Sequence, residues 1–205
     1  MLAGTTPWPP DAAARYRQAG LWDGRAIAEV VAAVADRHPG RTAVIDGDRE
    51  VGYAELMARV DRLAARLHRD GLGRHDRVVM QLPNALEFVV AWLALTRIGV
   101  IPVMALRAHR EAEIAHFVRA SGAVACMVPD VVQRFDHRAM AQAVAAQCPT
   151  LKTIYVLGDP LPGQRALGPL IDEPLDAATV AAALAGVRPD PGDVATMLLS
   201  GGTTS

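Results

Sequence analysis

The chain has 205 residues, enough to bury a substantial core as one or two domains, and 51% of them are hydrophobic, which argues against disorder as its main state. Its 21 Lys and Arg balance 22 Asp and Glu, so no basic field is available to hold nucleic acid or an anionic membrane, and an anionic ligand must be met locally. Cys126 and Cys148 are too few for a disulfide framework or a zinc site and read as buried thiols in a reducing compartment, the cytoplasm.

Met1 to Arg15 lacks a basic start and an unbroken apolar stretch, so it does not read as a secretory signal. Val89 to Leu106, the most apolar later stretch, is interrupted by Thr96, Arg97, Gly99 and Pro102 and makes a poor membrane span. The opening segment through Gly24 mixes Pro7, Pro9 and Pro10 with Trp8, Tyr16 and Trp22, and predicts an irregular arm laid on the surface by aromatic anchors. Residues 25 to 205 then read as one domain.

In that domain Ile27, Val30, Val31 and Val34 recur at helical spacing, and Pro39-Gly40 closes the helix. A short strand, Thr42 to Ile45, turns at Asp46-Gly47-Asp48. From Tyr53 to Arg69 the stripe Leu56, Val60, Leu63 and Leu67 predicts an amphipathic helix ended by Gly71 and Gly73. The units then alternate: strand Arg77 to Leu82, helix Asn84 to Ile98, strand Val100 to Met104, helix Arg110 to Ala120, strand Ala123 to Val128, helix Phe135 to Gln147 and strand Thr153 to Leu157. Gly158 to Pro174, rich in Pro and Gly, reads as a connecting loop. A helix at Ala177 to Leu184 and an apolar strand at Val194 to Leu199 complete the series. This rhythm predicts an α/β fold: a mostly parallel sheet with helices on both faces.

Histidines 38, 68, 75, 116 and 137 lack ligand spacing, which argues against a metal site built from them. His109 and Arg110 read as part of a helix start, and Glu111 and Glu113 as carboxylates favoured by the helix dipole.

The chemistry-bearing segment is the last one, where an apolar strand runs into Ser200-Gly201-Gly202-Thr203-Thr204. Gly201 and Gly202 can turn successive N–H groups toward one anion, and Ser200, Thr203 and Thr204 add hydroxyl donors, so a phosphate cradle is a plausible product of these residues. It is not a Walker A loop, and no Gly-x-Gly-x-x-Gly is present. On these residues alone a flexible polar tail would look similar and is the commoner explanation.

The segment resembles the nucleotide-phosphate loop of the adenylate-forming superfamily, which continues with Gly and then Pro-Lys where this sequence has Ser205. Further likenesses fall in order. Val51-Gly52-Tyr53-Ala54-Glu55-Leu56 is similar to the family's Ser/Thr-Tyr-x-Glu-Leu helix start, with Gly52 in place of the hydroxyl cap. Asp76-Arg77-Val78, Gln81-Leu82-Pro83-Asn84 and the run Leu93 to Val103 match the next landmark. Tyr16 to Trp22, Pro102 to Leu106 with His109-Arg110, and Phe135-Asp136-His137-Arg138 with Met140-Ala141 resemble the ligases that activate 2,3-dihydroxybenzoate or salicylate for siderophore assembly.

The resemblance implies ATP and Mg2+ as cofactors, an aryl carboxylic acid as substrate, and an aryl or peptidyl carrier protein as acceptor, with no nucleic acid or membrane partner. It carries a role only onto Ser200, Gly201, Gly202, Thr203 and Thr204, as binders of the ATP phosphates. It places the aryl pocket, the adenine pocket and the catalytic lysine beyond residue 205, so the 205 residues are expected to be an amino-terminal fragment that does not adenylate by itself. A fragment of an acyl-CoA synthetase, a non-catalytic remnant and a free-standing binding module are the alternatives.

Overall fold

The computed structural model describes residues 5–198. The predicted arm folds into a helix, α1 (Pro10–Gln18), started by Pro10 in the first turn, where its missing N–H costs nothing. The expectation of irregular structure is therefore corrected. Its aromatic residues also hold one another: the Trp22 ring lies 5.6 Å from Trp8 and 5.3 Å from Tyr16, and Trp8 stays exposed.

Helix α2 (Ile27–Arg37) precedes a hairpin of β1 (Thr42–Asp46) and β2 (Arg49–Gly52), which leads directly into α3 (Tyr53–Arg69). Gly52 supplies no capping side chain, and two backbone carbonyls do that work instead. Tyr53 N–H donates to the Arg41 carbonyl and Ala54 N–H to the Pro39 carbonyl, both at 3.0 Å. A Cβ on residue 52 would stand 3.3 Å from that Pro39 oxygen, which is why a small residue fits there. The predicted stripe of α3 is buried throughout, together with Met57, Ala64 and Ala65.

Next come β3 (Arg77–Met80), α4 (Leu86–Arg97), β4 (Ile101–Met104), α5 (Glu111–Ser121), β5 (Ala125–Pro129), a small hairpin β6 (Val131–Val132) and β7 (Phe135–Asp136), α6 (His137–Gln147) and β8 (Thr153–Leu157). The stretch read as a loop, Gly158 to Pro174, is instead built into the fold. It contains β9 (Arg165–Ala166), which pairs in parallel with β8, and α7 (Leu167–Asp172), whose Leu167 and Ile171 are fully buried. Helix α8 (Ala177–Ala183) follows.

The main sheet is parallel, in the order β4-β3-β5-β8-β9. Side-chain alternation divides the core in two. Val78, Met80, Ala125, Met127 and Tyr155 join the apolar residues of α3, α4 and α7 on one face. Val79, Val103, Cys126, Val128 and Val156 join α5 and α6 on the other. The two-faced arrangement read from the sequence is borne out. Burial without a charged neighbour pushes the Cys126 thiol up to about 12, which leaves it inert.

Of the predicted strand at Val194 to Leu199, the described residues form a single parallel bridge, Met197 to Val103. Met197 N–H donates to the Pro102 carbonyl at 2.8 Å, and the Met197 carbonyl accepts from Met104 N–H at 2.9 Å.

Candidate functional site at the carboxy end of the sheet

Strand β3 connects through α4 to β4 on one side, and the chain then returns to place β5 on the other side of β3. That reversal opens a crevice beyond the carboxy ends of β3 and β5, the position where open parallel sheets take their ligands. Three segments gather there: Gln81 to Ala85 after β3, Ala105 to Arg110 after β4, and Asp130 to Asp136 after β5. The last described residues arrive beside them. Asp193 is bonded to Arg74 and His75 before β3, and Met197 lies alongside β4, so this segment runs parallel to the sheet toward the same end.

Gln81 organises the crevice. It is fully buried, its backbone N–H donates to the Met127 carbonyl, and its side-chain nitrogen donates to the Leu106 carbonyl at 2.8 Å and the His109 carbonyl at 2.9 Å. Both amide hydrogens are thus used to hold the loop after β4, while Oε1 has no hydrogen-bond partner among the described residues. His109 closes the same loop from within: Leu106 N–H donates to its Nδ1 at 3.0 Å, and its ring meets Phe117 edge-on at 5.0 Å. The structural reading of His109 agrees with this geometry. Glu113 accepts from Arg110 N–H at 2.9 Å, which holds its carboxyl below the usual range and fixes the start of α5.

Across from this loop, hairpin β6–β7 turns through Gln133 and Arg134, both at positive φ, 51° and 66°. This is the geometry of a two-residue turn that favours Asn-Gly, and Gln-Arg holds it under strain. The Arg110 guanidinium sits 4.1 Å from the centre of the Phe135 ring, which also meets the buried His137 ring at 4.8 Å. Burial lowers the His137 pKa below its ordinary value. Asp136 starts α6 by accepting from Arg138 and Ala139 N–H, and the Arg138 side chain beside it holds its carboxyl at about 2. At the hairpin base, the Asp130 carboxylate occupies the space above Gly158, whose φ is +113°.

Ser200, Gly201, Gly202, Thr203 and Thr204, the residues predicted to bind phosphate, lie outside the described residues. Gln81 and Phe135 show no role of their own in the sequence, although Gln81 offers a signal: it is a polar side chain closing the apolar run Val78-Val79-Met80. Among the described residues no three His, Cys, Asp or Glu side chains converge to hold a metal ion, so no Mg2+ position is assigned. No helix among them is long and apolar enough to cross a membrane.

A parallel sheet with a reversal at its centre and a glycine-rich sequence following its edge is the mark of the doubly wound, nucleotide-binding α/β class. Within that class the match is specific: residues 31–205 fit the AMP-binding enzyme family, and the chain belongs to it. Among curated relatives, it is 45% identical over 99% of its length to the salicyl-AMP ligase / salicyl-S-ArCP synthetase of Mycobacterium tuberculosis. It is 37% identical over its whole length to the vibriobactin-specific 2,3-dihydroxybenzoate-AMP ligase of Vibrio cholerae. The structure of apo MbtA from Mycobacterium smegmatis superimposes with a TM-score of 0.86 at 37% identity, covering 98% of this chain. The chain spans 36% of the length of each of these three proteins. These two curated relatives are aryl-acid AMP ligases, and the fold of this chain is that of the amino-terminal subdomain of such enzymes.

Proposed function

We propose that these 205 residues supply the amino-terminal part of an aryl-acid adenylating ligase of siderophore assembly, acting in the cytoplasm. The reaction joins salicylate or 2,3-dihydroxybenzoate to ATP, giving aryl-AMP and pyrophosphate, and then passes the aryl group to a carrier-protein thiol. The observation that carries this reading is the 45% identity to a salicyl-AMP ligase across 99% of the chain, arm included. Residues 200–204 are the proposed cradle of the ATP phosphates. Their N–H and hydroxyl donors would stabilise charge as pyrophosphate leaves, and Mg2+ would share that charge. The bridge between Met197 and Val103 supports this role, because it fixes the residues just before the cradle alongside β4, at the carboxy end of the sheet. A phosphate loop without an aryl pocket cannot align a carboxylate with the α-phosphorus, so the 205 residues by themselves are expected not to catalyse the first step.

For the acceptor, a second reading has a specific support: the chain is 44% identical to the 2-hydroxy-7-methoxy-5-methyl-1-naphthoate--CoA ligase of Streptomyces carzinostaticus over 98% of its length. A CoA thiol would then stand in place of the carrier-bound one.

The test is a chimaera in which these residues replace the aligned segment of the Mycobacterium tuberculosis salicyl-AMP ligase. Salicylate-dependent ATP–pyrophosphate exchange by the chimaera, and none by the 205-residue chain, is the expected result. A folded chimaera without exchange overturns the reading.

A further inference from the structure

The segment that leads to Met197 has little apolar hold on the body, since no residue from 185 to 198 is buried. Toward the arm it borders an open cavity of about 600 Å³, lined by Trp8, Arg17 and Trp22 and by Pro191, Gly192 and Asp193, and a smaller one of about 190 Å³ lies between it and the start of α2. Packing from that side therefore does not set where the segment runs. Polar contacts do. Arg74 Nε donates to Asp193 Oδ2 at 2.6 Å, and its Nη2 donates to Asp190 Oδ2 at 3.0 Å. His75 Nε2 stands 3.0 Å from the same Asp193 oxygen, an electrostatic contact rather than an aligned hydrogen bond. The Asp193 side chain is only 11% exposed, which shields these contacts better than a surface pair is shielded. Further on, the Thr196 hydroxyl and Met197 N–H both donate to the Pro102 carbonyl, at 3.1 Å and 2.8 Å, and lay the chain beside β4.

The turn that carries Arg74 is itself rigid. His75 is held at φ 70°, a conformation costly for a residue with a side chain, and its N–H donates to the Gly99 carbonyl at 2.9 Å. Its own carbonyl accepts from Arg77 Nη1 at 2.6 Å, and the Asp76 carboxylate closes the turn by accepting from Gly73 N–H at 2.9 Å. Gly99 lies so close that a Cβ there would stand 3.3 Å from the Arg74 Cα.

We infer that Arg74 and Asp193 are positioning residues for the nucleotide: by clamping the segment where it enters the sheet, they set where residues 200–204 meet the ATP phosphates. The assignment rests on the ligase reading, which puts the phosphates at those residues. Donors stabilise developing charge only when they are already held where that charge appears, so slack in the segment that carries them costs transition-state binding. The clamp stands before β3, at the amino end of the sheet, and the crevice opens at the other end. It therefore acts through the segment and not by touching ATP or the aryl acid.

The test has two readouts. In the chimaera, R74A and D193N are each expected to lower kcat/KM for ATP roughly fivefold at saturating salicylate, the loss of a charge-assisted bond discounted for the exposure of Arg74, while KM for salicylate stays as it was. R74K keeps the charge without the two-pronged geometry and should recover part of the loss. Y155F serves as the control for a merely structural effect: it gives up the bond from the Tyr155 hydroxyl to Asp70, remote from the segment, and should lower the melting temperature without moving kcat/KM for ATP. In the 205-residue chain, amide hydrogen exchange at Met197 and Met104, the donors that tie the segment to β4, should quicken by roughly fivefold in R74A and D193N and stay unchanged between β5 and β8. Unaltered kcat/KM for ATP in both variants, a parallel rise in KM for salicylate, an equal loss in Y155F, or wild-type exchange rates at Met197 in both variants overturns the assignment. A chimaera with no pyrophosphate exchange at all sinks the ligase reading and this role with it, whereas a chimaera whose ATP kinetics ignore the variants sinks the clamp alone.

Discussion

The Gln81 amide nitrogen reaches the His109 carbonyl at 2.9 Å while also holding the Leu106 carbonyl, so one buried side chain joins the end of β3 to the loop after β4. Replacing it with leucine removes both donors and leaves the two loop carbonyls without them. The expected cost is about 1–3 kcal/mol of folding stability, the penalty for polar groups whose partner is lost in a buried setting. Q81E should cost at least as much, since a carboxylate cannot donate two hydrogens and its charge would be buried. Urea denaturation of both variants checks this. Wild-type midpoints would show that the amide is dispensable.

Gly158 admits no side chain. Its φ of +113° is one that L residues rarely adopt, and a Cβ would overlap the Asp130 carboxylate. G158A is therefore expected to destabilise the chain by about 2 kcal/mol. D130G should recover part of that loss in the double variant by emptying the space. Thermal melts of the two single variants and the double variant measure the recovery, and simple additivity would contradict the proposed overlap.

Arg134 offers a prediction of opposite sign. With φ at 66°, its replacement by glycine should stabilise the fold by about 1 kcal/mol, read as a raised melting temperature. A stability loss would argue that the arginine side chain supports the hairpin.

Much of this architecture was legible in the residues, because the alternation of strand and helix follows from apolar periodicity. The stripe of α3 and the strands at Arg77, Ala125 and Thr153 were placed within two or three residues by that pattern alone. What escaped were elements too short to show a period. β9 is two residues long and α7 six, and both lie in a stretch whose Pro and Gly content imitates a linker. Leu167 and Ile171, four apart on one helical face, were the available signal. The arm misled for a related reason: Pro10 marks the start of a helix as readily as a break, and only tertiary contacts decide between them. The crevice was hidden because Gln81 and Phe135 acquire their roles from residues 25 to 28 positions away, as in the pairs Gln81 with Leu106 and His109 and Phe135 with Arg110.

Asp193 carries a pH prediction. Arg74 at 2.6 Å and His75 at 3.0 Å hold its carboxyl at about 2, below the value of about 3.9 expected in the unfolded chain. A depressed pKa contributes stability that is present above the unfolded value and is lost as pH falls toward the folded one. Between about pH 4 and pH 2, therefore, the wild-type melting temperature should fall more steeply than that of D193N. Identical slopes would show that these contacts contribute nothing to holding the segment that leads to Met197.

Salicylate-dependent ATP–pyrophosphate exchange by the chimaera decides whether these residues can serve as the amino-terminal part of an aryl-acid adenylating ligase. Exchange is expected to require salicylate and to be lost when residues 200–204 are replaced by a neutral linker. A folded chimaera that shows no exchange, or one whose exchange survives that replacement, would contradict that reading.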